Sequence, residues 1–346
     1  MIVSDNFPEK KVTVSEIASA ADVSPATVSR VINQKAPVKE KTRLKVLNVM
    51  KELGYPLPDP VTIKNTQRTG VILINIPSLN NPFYGAIIKG IRAALSRHNY
   101  SAFINEGHIN SSTIDNLIKT IRENKIVGLI VMNHVDSELL LRLSKEVCVL
   151  QCCEYSEEVD LPYVSVNDKL AAKTAVEHLI AQNRKRVAFI NGPLRYKYAQ
   201  QRLAGYIEAL KAHDIPLRRE YIIQLSEINS DLATSAALQL LTLDDPPDAF
   251  FTISDVYGAS ILRACYLSGK KVPQQVAVVG FDNLEISKIL IPSLSTVNQP
   301  RAQMGFIAAE NLLEKLNNPK LPNKKILLDT ELIIRESSVV RFGNSL

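Results

Sequence analysis

The chain has 346 residues, of which 46% are hydrophobic and 22% are charged, and its net charge is +6 at pH 7. This composition excludes a disordered chain and supplies enough apolar residues for the cores of two or three domains. The longest apolar runs, such as Ile126 to Met132, have the length of a strand. Because about 20 apolar residues are needed to cross a bilayer, a transmembrane helix is excluded.

The amino-terminal segment, Met1 to Lys11, is polar and of mixed charge, without the apolar region and small-residue cleavage site of a secretory signal. We therefore expect a cytoplasmic protein. The four cysteines lie in or beside apolar segments, and neither they nor the five histidines have the spacing of a zinc site. We expect reduced thiols and no metal or other cofactor.

Basic residues are concentrated in the first fifth of the chain. Residues 1–70 contain eleven Lys and Arg against seven Asp and Glu, so they hold +4 of the net charge and the remainder holds +2. From Val28 to Lys51, seven basic residues accompany a single acid, Glu40. Such an excess is typical of a segment that binds a polyanion.

Two short helices are predicted near the amino terminus. Residues 13–16 have the pattern of a capping box, in which the Thr13 hydroxyl and the Glu16 carboxylate each bond the other residue's amide. The helix that begins here has one apolar face, formed by Val14, Ile17, Ala18 and Ala21. After a short turn, Ser24 can cap a second helix with Pro25 at its first position, where the missing N–H of proline costs nothing.

A third helix is predicted from about Lys39 to Leu53, ending at Gly54. The residues expected to point inward are Val28, Val31 and Ile32 from the second helix and Leu44, Leu47, Met50 and Leu53 from the third. Two helices across a tight turn form the helix-turn-helix pattern, whose second helix enters the major groove. Its exposed positions carry side chains suited to phosphates and base edges, namely Thr27, Ser29, Arg30 and Asn33. The alternative is a three-helix module that binds protein, in which the lysines form a face that contacts only solvent.

Residues 12–33, together with Thr42-Arg43 and Leu53-Gly54-Tyr55, resemble the DNA-binding head of the LacI/GalR repressor family. The resemblance implies phosphate contacts by Thr13, Ser24, Thr27, Ser29, Asn33, Thr42 and Tyr55. It also implies that Arg30 contacts a phosphate or a base, and that Pro25 and Ala26 occupy the main base-reading positions. Because these two side chains have no hydrogen-bond donors, we expect sequence discrimination to depend on Arg30, Asn33 and DNA shape.

Prolines 56, 58 and 60 end the third helix and indicate a domain boundary. We predict a helix-turn-helix domain at 10–55, a hinge or linker at 56–70 and a larger core at 71–346. Members of the family carry a hinge helix here, whose leucine wedges into the minor groove. In this chain Lys64 occupies the leucine position. Either the neighbouring Ile63 serves as the wedge after a shift of one residue, or the operator is kinked only weakly.

Short apolar runs alternate with amphipathic helical stretches through the rest of the chain, which predicts parallel, doubly wound sheets. The predicted strands are Val71–Ile76, Tyr100–Ile104, Ile126–Met132, Val147–Cys152, Tyr163–Val166, Arg186–Ile190, Tyr221–Leu225, Ala249–Ile253 and Val276–Gly280. The series restarts after a helix from about Lys169 to Ala181, which indicates two α/β lobes. A cleft between such lobes, at the carboxyl ends of the strands, is where these folds bind ligands.

This arrangement resembles the periplasmic-binding-protein-like effector core of the same family. The resemblance implies three crossings between the lobes, near residues 166, 298 and 329. The first lobe would then comprise about 71–166 and 299–328, and the second about 167–298 and 329–346. The matching motifs are Asn81-Pro82-Phe83, the run from Arg202 to Tyr206, Ser254-Asp255, the run from Gly280 to Asn283, and the run from Thr296 to Pro300.

An uncharged polyhydroxylated ligand needs charged hydrogen-bonding groups and a flat apolar face. Asp282 can accept from two hydroxyls, Arg202 can donate two bonds in one plane, and Phe83 supplies the face. Asn81, Asp255 and Gln299 are further candidates, for which a role in a turn or cap is the alternative. An ion pair between Asp282 and Arg202 that joins the lobes is the alternative for those two residues. Tyr196 and Tyr198 lie either at the cleft mouth or in a solvated loop.

Three classes of protein share such α/β lobes. A transport binding protein would need a secretion signal and no basic head, and an enzyme would need a catalytic motif, which we do not find. The sequence therefore predicts a homodimeric DNA-binding transcriptional regulator, most simply a repressor. It would bind a near-palindromic operator under the control of a sugar, or alternatively a nucleoside, in the cleft. Whether the effector releases or recruits DNA is left open.

Overall fold

A computed structural model describes residues 12–33, 38, 40–53, 55 and 70–339. The chain divides into two compact units, Met1–Arg68 and Thr69–Leu346. The predicted hinge residues Ile63 and Lys64 lie outside the described residues, as does the side chain of Asn33. Within the part of the chain that the structure describes, no helix has the length and apolar character needed to cross a membrane.

The first unit contains three helices, α1 (Val14–Ala20), α2 (Pro25–Asn33) and α3 (Glu40–Glu52). The predicted capping box is confirmed, because the Thr13 amide donates to Glu16 Oε2 at 2.7 Å and the Glu16 amide donates to Thr13 Oγ1 at 3.3 Å. Ser24 Oγ accepts from the Thr27 amide at 3.2 Å. Local hydrogen bonds thus start both helices of the motif where the sequence predicts.

The core of the first unit differs from the prediction on α3. Val46 and Met50, four residues apart on one face, are fully buried, whereas Leu44 is 52% exposed and Leu53 is 39% exposed. Leu44 precedes Val46 by two residues, which places it about 200° away around the helix. Leu53 lies beyond the last helical residue. The prediction that these two leucines pack inward is therefore wrong.

The second unit contains two six-stranded sheets. The first has the strand order β11-β5-β4-β3-β1-β2, and every pair in it is parallel. Its strands are β1 (Val71–Ile76), β2 (Ser101–Glu106), β3 (Ile126–Val131), β4 (Cys148–Cys152), β5 (Tyr163–Val166) and β11 (Lys325–Leu328). The helices packed with this sheet are α4 (Phe83–Arg97), α5 (Ile114–Glu123), α6 (Ser137–Ser144) and α12 (Arg301–Asn317). We call this group of elements the first lobe.

The second sheet has the order β12-β10-β9-β8-β6-β7. Its strands are β6 (Val187–Asn191), β7 (Ile222–Gln224), β8 (Ala249–Thr252), β9 (Ala277–Phe281), β10 (Ser295–Asn298) and β12 (Glu331–Ile333). Its helices are α7 (Asp168–Ala181), α8 (Lys197–Ala212), α9 (Ser230–Leu241), α10 (Asp255–Leu267) and the short α11 (Ile286–Ile289), with a 3-10 turn at Arg219–Tyr221. This group forms the second lobe. Only β12 departs from the parallel arrangement, since it pairs with β10 antiparallel.

The chain passes between the lobes after β5, after β10 and after β11. The carboxyl ends of β3, β4 and β5 in one lobe and of β6, β8 and β9 in the other lead into the loops that line the space between the lobes. The predicted two-lobed, doubly wound architecture is confirmed.

Helices α4 and α12 approach each other at two glycines. A Cβ at Gly90 would lie 1.9 Å from the carbonyl oxygen of Ala302, and a Cβ at Gly305 would lie 2.1 Å from that of Ile87. Only glycine permits this separation of the two backbones. The contact fixes the first turns of α12 against the middle of α4, the helix that begins at Phe83.

Candidate functional site

The predicted DNA-contacting residues of the first unit lie mostly on its surface. Exposed side chains are those of Thr13, Ser24, Pro25, Ala26, Ser29 and Arg30, and partly buried ones are those of Thr27, Thr42 and Tyr55. The Ser24 and Thr27 hydroxyls hydrogen-bond each other at 2.8 Å. Helix α2 therefore presents a short row of small and basic side chains on its outer face, while Val28 and Val31 hold its inner face in the core.

In the second unit, five of the six predicted effector residues line one cavity of about 50 Å³ between the lobes. Asn81 and Phe83 come from the first lobe, Arg202 and Asp282 come from the second, and Gln299 lies in the crossing segment after β10. We call this space the interlobe cavity. It brings together on one surface residues that are more than 200 positions apart in the chain.

Asp282 is buried at one wall of this cavity, where Gln299 Nε2 donates to its Oδ1 at 2.8 Å. Burial raises the pKa of this carboxyl to about 7, although the nearby Arg202 and Arg301 guanidinium groups oppose the shift. The backbone of Asp282 has a φ of 108°, a region that residues other than glycine rarely adopt. A strained loop thus carries the Asp282 carboxylate, and the side chain of Gln299 is its hydrogen-bond donor.

Arg202 is also buried, and its ion pair is with Asp168 rather than with Asp282. Nε and Nη2 lie 2.8 and 2.7 Å from Asp168 Oδ1, and Nη1 donates to the Ile253 carbonyl. The guanidinium carbon lies 3.5 Å from the centre of the Phe281 ring. Three of the five guanidinium N–H groups serve these bonds, so the protein itself fixes the plane in which Arg202 can donate.

Asp255 does not line the cavity. It is fully buried, and its carboxylate accepts from Thr296 Oγ1 and from the Leu284 amide at 2.6 Å each. Asp255 therefore holds the loop that carries Asp282, and its expected contact with the effector is corrected to this structural role. For Asn81 the alternatives were a turn role and a contact with the effector. Its Oδ1 accepts from the Phe83 amide at 3.0 Å, as in a turn, and the residue also lines the cavity.

Ten further residues line the interlobe cavity. They are Tyr84, Met132, Cys153, Glu154, Ser165, Asp168, Tyr198, Ile228, Ile253 and Ser254. Nine of them were not predicted as site residues from the sequence, and Tyr198 was left open between the cleft and a solvated loop. Most lie within or directly after the carboxyl end of a strand, as Met132 does after β3 and Glu154 does after β4. Applying the strand-end rule to every strand would have identified these residues.

Glu154 joins the two lobes. This buried carboxylate of the first lobe accepts from the amides of Lys197 and Tyr198, at 2.9 and 3.1 Å, in the first turn of α8 in the second lobe. Burial raises the pKa of Glu154 to about 7, while the two amide bonds oppose the shift. The helix that carries Arg202 is thereby capped by a residue of the opposite lobe.

Two wider grooves flank the cavity. One of about 450 Å³ includes both Tyr196 and Tyr198, so these tyrosines lie at the mouth of the cleft. The other, of about 700 Å³, is lined by polar side chains of both lobes, among them Glu157 and Lys197, which form an ion pair at 2.8 Å. Among the residues that the structure describes, no group of three or more His, Cys, Asp or Glu could bind a metal ion.

Comparison with protein families gives two matches. Residues 13–57 match the family described as bacterial regulatory proteins, lacI family, and residues 176–338 match the periplasmic binding protein-like domain. The chain is 32% identical over 345 residues to the HTH-type transcriptional repressor CytR of Escherichia coli (strain K12), covering 95% of this chain and 97% of that protein. It is 27% identical over 328 residues to the ribose operon repressor of Haemophilus influenzae, covering 94% and 98% of the two chains.

Solved structures show the same architecture. A complex of the transcriptional regulator CelR with cellobiose aligns with a TM-score of 0.72 at 28% identity, covering 94% of this chain and 100% of that one. The lac repressor dimer bound to operator and the anti-inducer ONPF aligns with a TM-score of 0.72 at 25% identity, covering 96% and 100%. Both alignments extend over nearly the whole chain.

Proposed function

The chain belongs to the LacI family of bacterial regulatory proteins, and on that premise we propose that it is a cytoplasmic transcriptional repressor. Its first unit binds a near-palindromic operator, and a small polar effector in the interlobe cavity controls that binding. One relative is named a ribose operon repressor, and one structural neighbour is a complex of a transcriptional regulator with cellobiose. A sugar is accordingly the first effector class, and a nucleoside is the alternative.

Operator binding is assigned to the outer face of α2. Arg30 is the long basic side chain on this face, next to the small side chains of Pro25, Ala26 and Ser29. Small residues let the helix approach the floor of the major groove closely, and an arginine can then reach a phosphate or a guanine edge. The excess of basic residues between positions 28 and 51 adds an attraction that does not depend on sequence.

This assignment is tested by replacing Arg30 with alanine in the full chain. We expect operator affinity to fall by about 1–3 kcal/mol, measured by fluorescence anisotropy on a duplex that the unaltered protein selects from a random pool. The matched control is Lys51→Ala, which removes one exposed positive charge from α3 in the same unit. Equal losses of operator affinity in the two variants would mean that Arg30 contributes only general electrostatic attraction. An unchanged operator affinity of Arg30→Ala would refute the assignment.

The effector is assigned to the interlobe cavity on one observation, the convergence of Asp282, Gln299 and Arg202 opposite the Phe83 ring. A sugar offers vicinal hydroxyls to the carboxylate and the guanidinium, and an apolar ring face to the phenyl ring. Asp282 and Arg202 thus supply acceptor and donor, while Gln299 orients the Asp282 carboxylate by its bond at 2.8 Å. This arrangement favours a compact, uncharged, polyhydroxylated molecule.

A thermal-shift screen of sugars, sugar phosphates and nucleosides tests this assignment. We expect a compound that raises the melting temperature of the unaltered chain and no longer does so for Asp282→Asn. The loss expected for a charge-assisted hydrogen bond is about 1.5–3 kcal/mol of binding free energy. Asp244→Asn, at an exposed carboxyl of the second lobe, is the control. A compound that stabilises Asp282→Asn as much as the unaltered chain binds elsewhere.

Exposed apolar side chains of the second lobe support assembly as a homodimer. Tyr266 is 83% exposed, Ile289 is 72% exposed and Ile291 is 96% exposed, and all three belong to α10 or to the segment that includes α11. Contiguous exposed apolar patches mark protein–protein contact sites, and we propose that these three side chains contribute to such a patch. A symmetric dimer would place two α2 helices on the two halves of a palindromic operator.

A further inference from the structure

The loop that carries Asp282 has an unusual backbone. Asp282 has a φ of 108° and Asn283 has a φ of 51°, so two consecutive residues other than glycine lie in the left-handed region. Such conformations persist only where surrounding contacts hold them. Part of the restraint is local, because the Asp282 amide donates to the Val297 carbonyl at 2.9 Å and the Asn283 amide donates to Thr296 Oγ1 at 3.2 Å.

Two arginines also hold this loop, and they come from different lobes. Arg335 follows β12 in the second lobe, and its Nη2 donates to Asn283 Oδ1 at 2.7 Å while its Nη1 donates to the Leu294 carbonyl at 2.7 Å. Arg301 is the first residue of α12 in the first lobe, and its Nη2 donates to the Asn283 carbonyl at 3.0 Å. Arg335 therefore anchors the loop within its own lobe, whereas Arg301 anchors it across the cleft.

Arg301 also contacts the opposite wall of the cavity. Its Nη1 lies 3.4 Å from the Phe83 carbonyl oxygen, and its guanidinium carbon lies 6.0 Å from the centre of the Phe83 ring. The glycine contacts between α4 and α12 fix the relative position of Arg301 and Phe83. One planar guanidinium group thus joins the aromatic face of the cavity to the loop of its carboxylate.

From this geometry we propose that Arg301 is a positioning residue that holds the two lobes closed by binding the Asn283 and Phe83 carbonyl groups together. It acts on Asp282 through the backbone of the neighbouring residue. The proposal concerns bonds within the chain itself, so it can be tested without an effector. If the proposed effector site is also correct, opening of this bond separates the groups that the effector contacts, and effector affinity falls with it.

Hydrogen exchange of the full chain, without effector or DNA, provides the test. Removing the cross-lobe bond in Arg301→Met lets the lobes open, which exposes both walls of the cavity. We expect exchange to accelerate at least about tenfold in residues 281–284 and also in residues 81–84. The matched control is Arg335→Met, which loosens the same loop from within the second lobe. Its acceleration is expected in 281–284 alone.

Two checks keep the outcome decisive. Exchange in the buried strand β8 should be unchanged, which excludes general unfolding. If Arg301→Met does not fold, Arg301→Lys replaces it, because a single ammonium group keeps the charge and cannot bridge both carbonyl groups in the same plane. Acceleration confined to 281–284, or none in either segment, would overturn the proposal. An effector screen that fails while this exchange pattern is observed would count against the effector assignment alone.

Discussion

Two carboxyl groups, Asp282 and Glu154, are buried on opposite lobes of the second unit. Both have a pKa raised to about 7, and burial is the largest cause in each case. Charged hydrogen bonds reduce this desolvation cost without removing it, since Glu154 accepts two amide bonds and its pKa is still raised. These two carboxyl groups therefore stay protonated to a higher pH in the folded chain than they would in water.

The stability of the core should depend on pH through Glu154. Its pKa is about 7 in the folded chain against an ordinary value of 4.5, so between these values the folded state holds more protons than the unfolded state. The free energy of unfolding must then decrease as pH rises through this window, by up to about 3 kcal/mol. Glu154→Gln cannot titrate. We expect its melting temperature, relative to that of the unaltered chain, to increase between about pH 5 and about pH 7.5.

The control for this measurement is Glu138→Gln, which removes an exposed carboxyl from α6. A difference between Glu154→Gln and the unaltered chain that stays constant with pH would show that Glu154 does not titrate in this range. An offset that is added to a pH-dependent difference is compatible with the prediction. Such an offset is expected because the glutamine side chain is a neutral acceptor, so the amides of Lys197 and Tyr198 lose the charge that strengthens their bonds.

At the level of single residues, the sequence indicated which loops line the interlobe cavity but not how the charges pair. Asp282, Gln299 and Arg202, which were predicted from their motifs, line that cavity, whereas the partner of Arg202 is Asp168, at the start of α7. For Asp255 the sequence left open a contact with the effector or a role in a turn or cap, because its place after a strand is the same for both, and its hydrogen bonds are those of a loop anchor. Pairing of this kind depends on how two helices pack, which local patterns do not encode.

Among the secondary structure elements, predictability followed burial only in part, since the largely exposed β2 was predicted and the buried β10 was not. β1 and β5 were predicted with their exact bounds because a parallel strand covered on both faces is a nearly continuous apolar run, which Asn75 and Ser165 interrupt at one position each. Strands β10, β11 and β12 were not predicted. The side chains of β11 and β12 are largely half-buried or exposed, so these two strands lack that run, and each of the three strands is only three or four residues long.

The contact between α4 and α12 leads to a prediction about two glycines. In Gly305→Ala the new Cβ would lie 2.1 Å from the Ile87 carbonyl oxygen, so the helices must separate. We expect a loss of about 3 kcal/mol or more in the free energy of unfolding, measured by urea denaturation. The control is Gly85→Ala on α4, where a Cβ has no neighbour within 4 Å. It should be neutral or stabilising by up to about 1 kcal/mol.

The same pair of variants separates stability from positioning. Because Arg301 begins α12 and Phe83 begins α4, any separation of the helices should also displace the cross-lobe contact. Gly305→Ala should therefore weaken effector-induced stabilisation as well as the fold itself. An alanine at position 305 that leaves the unfolding curve unchanged would mean that the two backbones can move apart at no cost.

For the molecule as a whole, control of DNA binding requires that the first and second units influence each other. The predicted linker, residues 56–70, connects the helix-turn-helix domain to the core within one chain. By thermodynamic linkage, an effector that changes operator affinity by some factor has its own affinity changed by operator by the same factor. The chemistry of this segment therefore limits how strongly the two sites are coupled.

Substitutions of Ile63 and Lys64 test how strongly the linker couples effector binding to operator binding. Insertion of a side chain between base pairs requires an apolar group that replaces lost stacking, which isoleucine offers and a charged ammonium group does not. We expect Ile63→Ala to reduce both operator affinity, by about tenfold, and the DNA bend angle measured with circularly permuted duplexes. Lys64→Ala should keep the bend and lower only the salt dependence, by about one counterion. If the Ile63→Ala variant bends the operator as the unaltered chain does, Ile63 is not an apolar wedge. Coupling between the two units must then depend on the orientation of the two heads in the dimer.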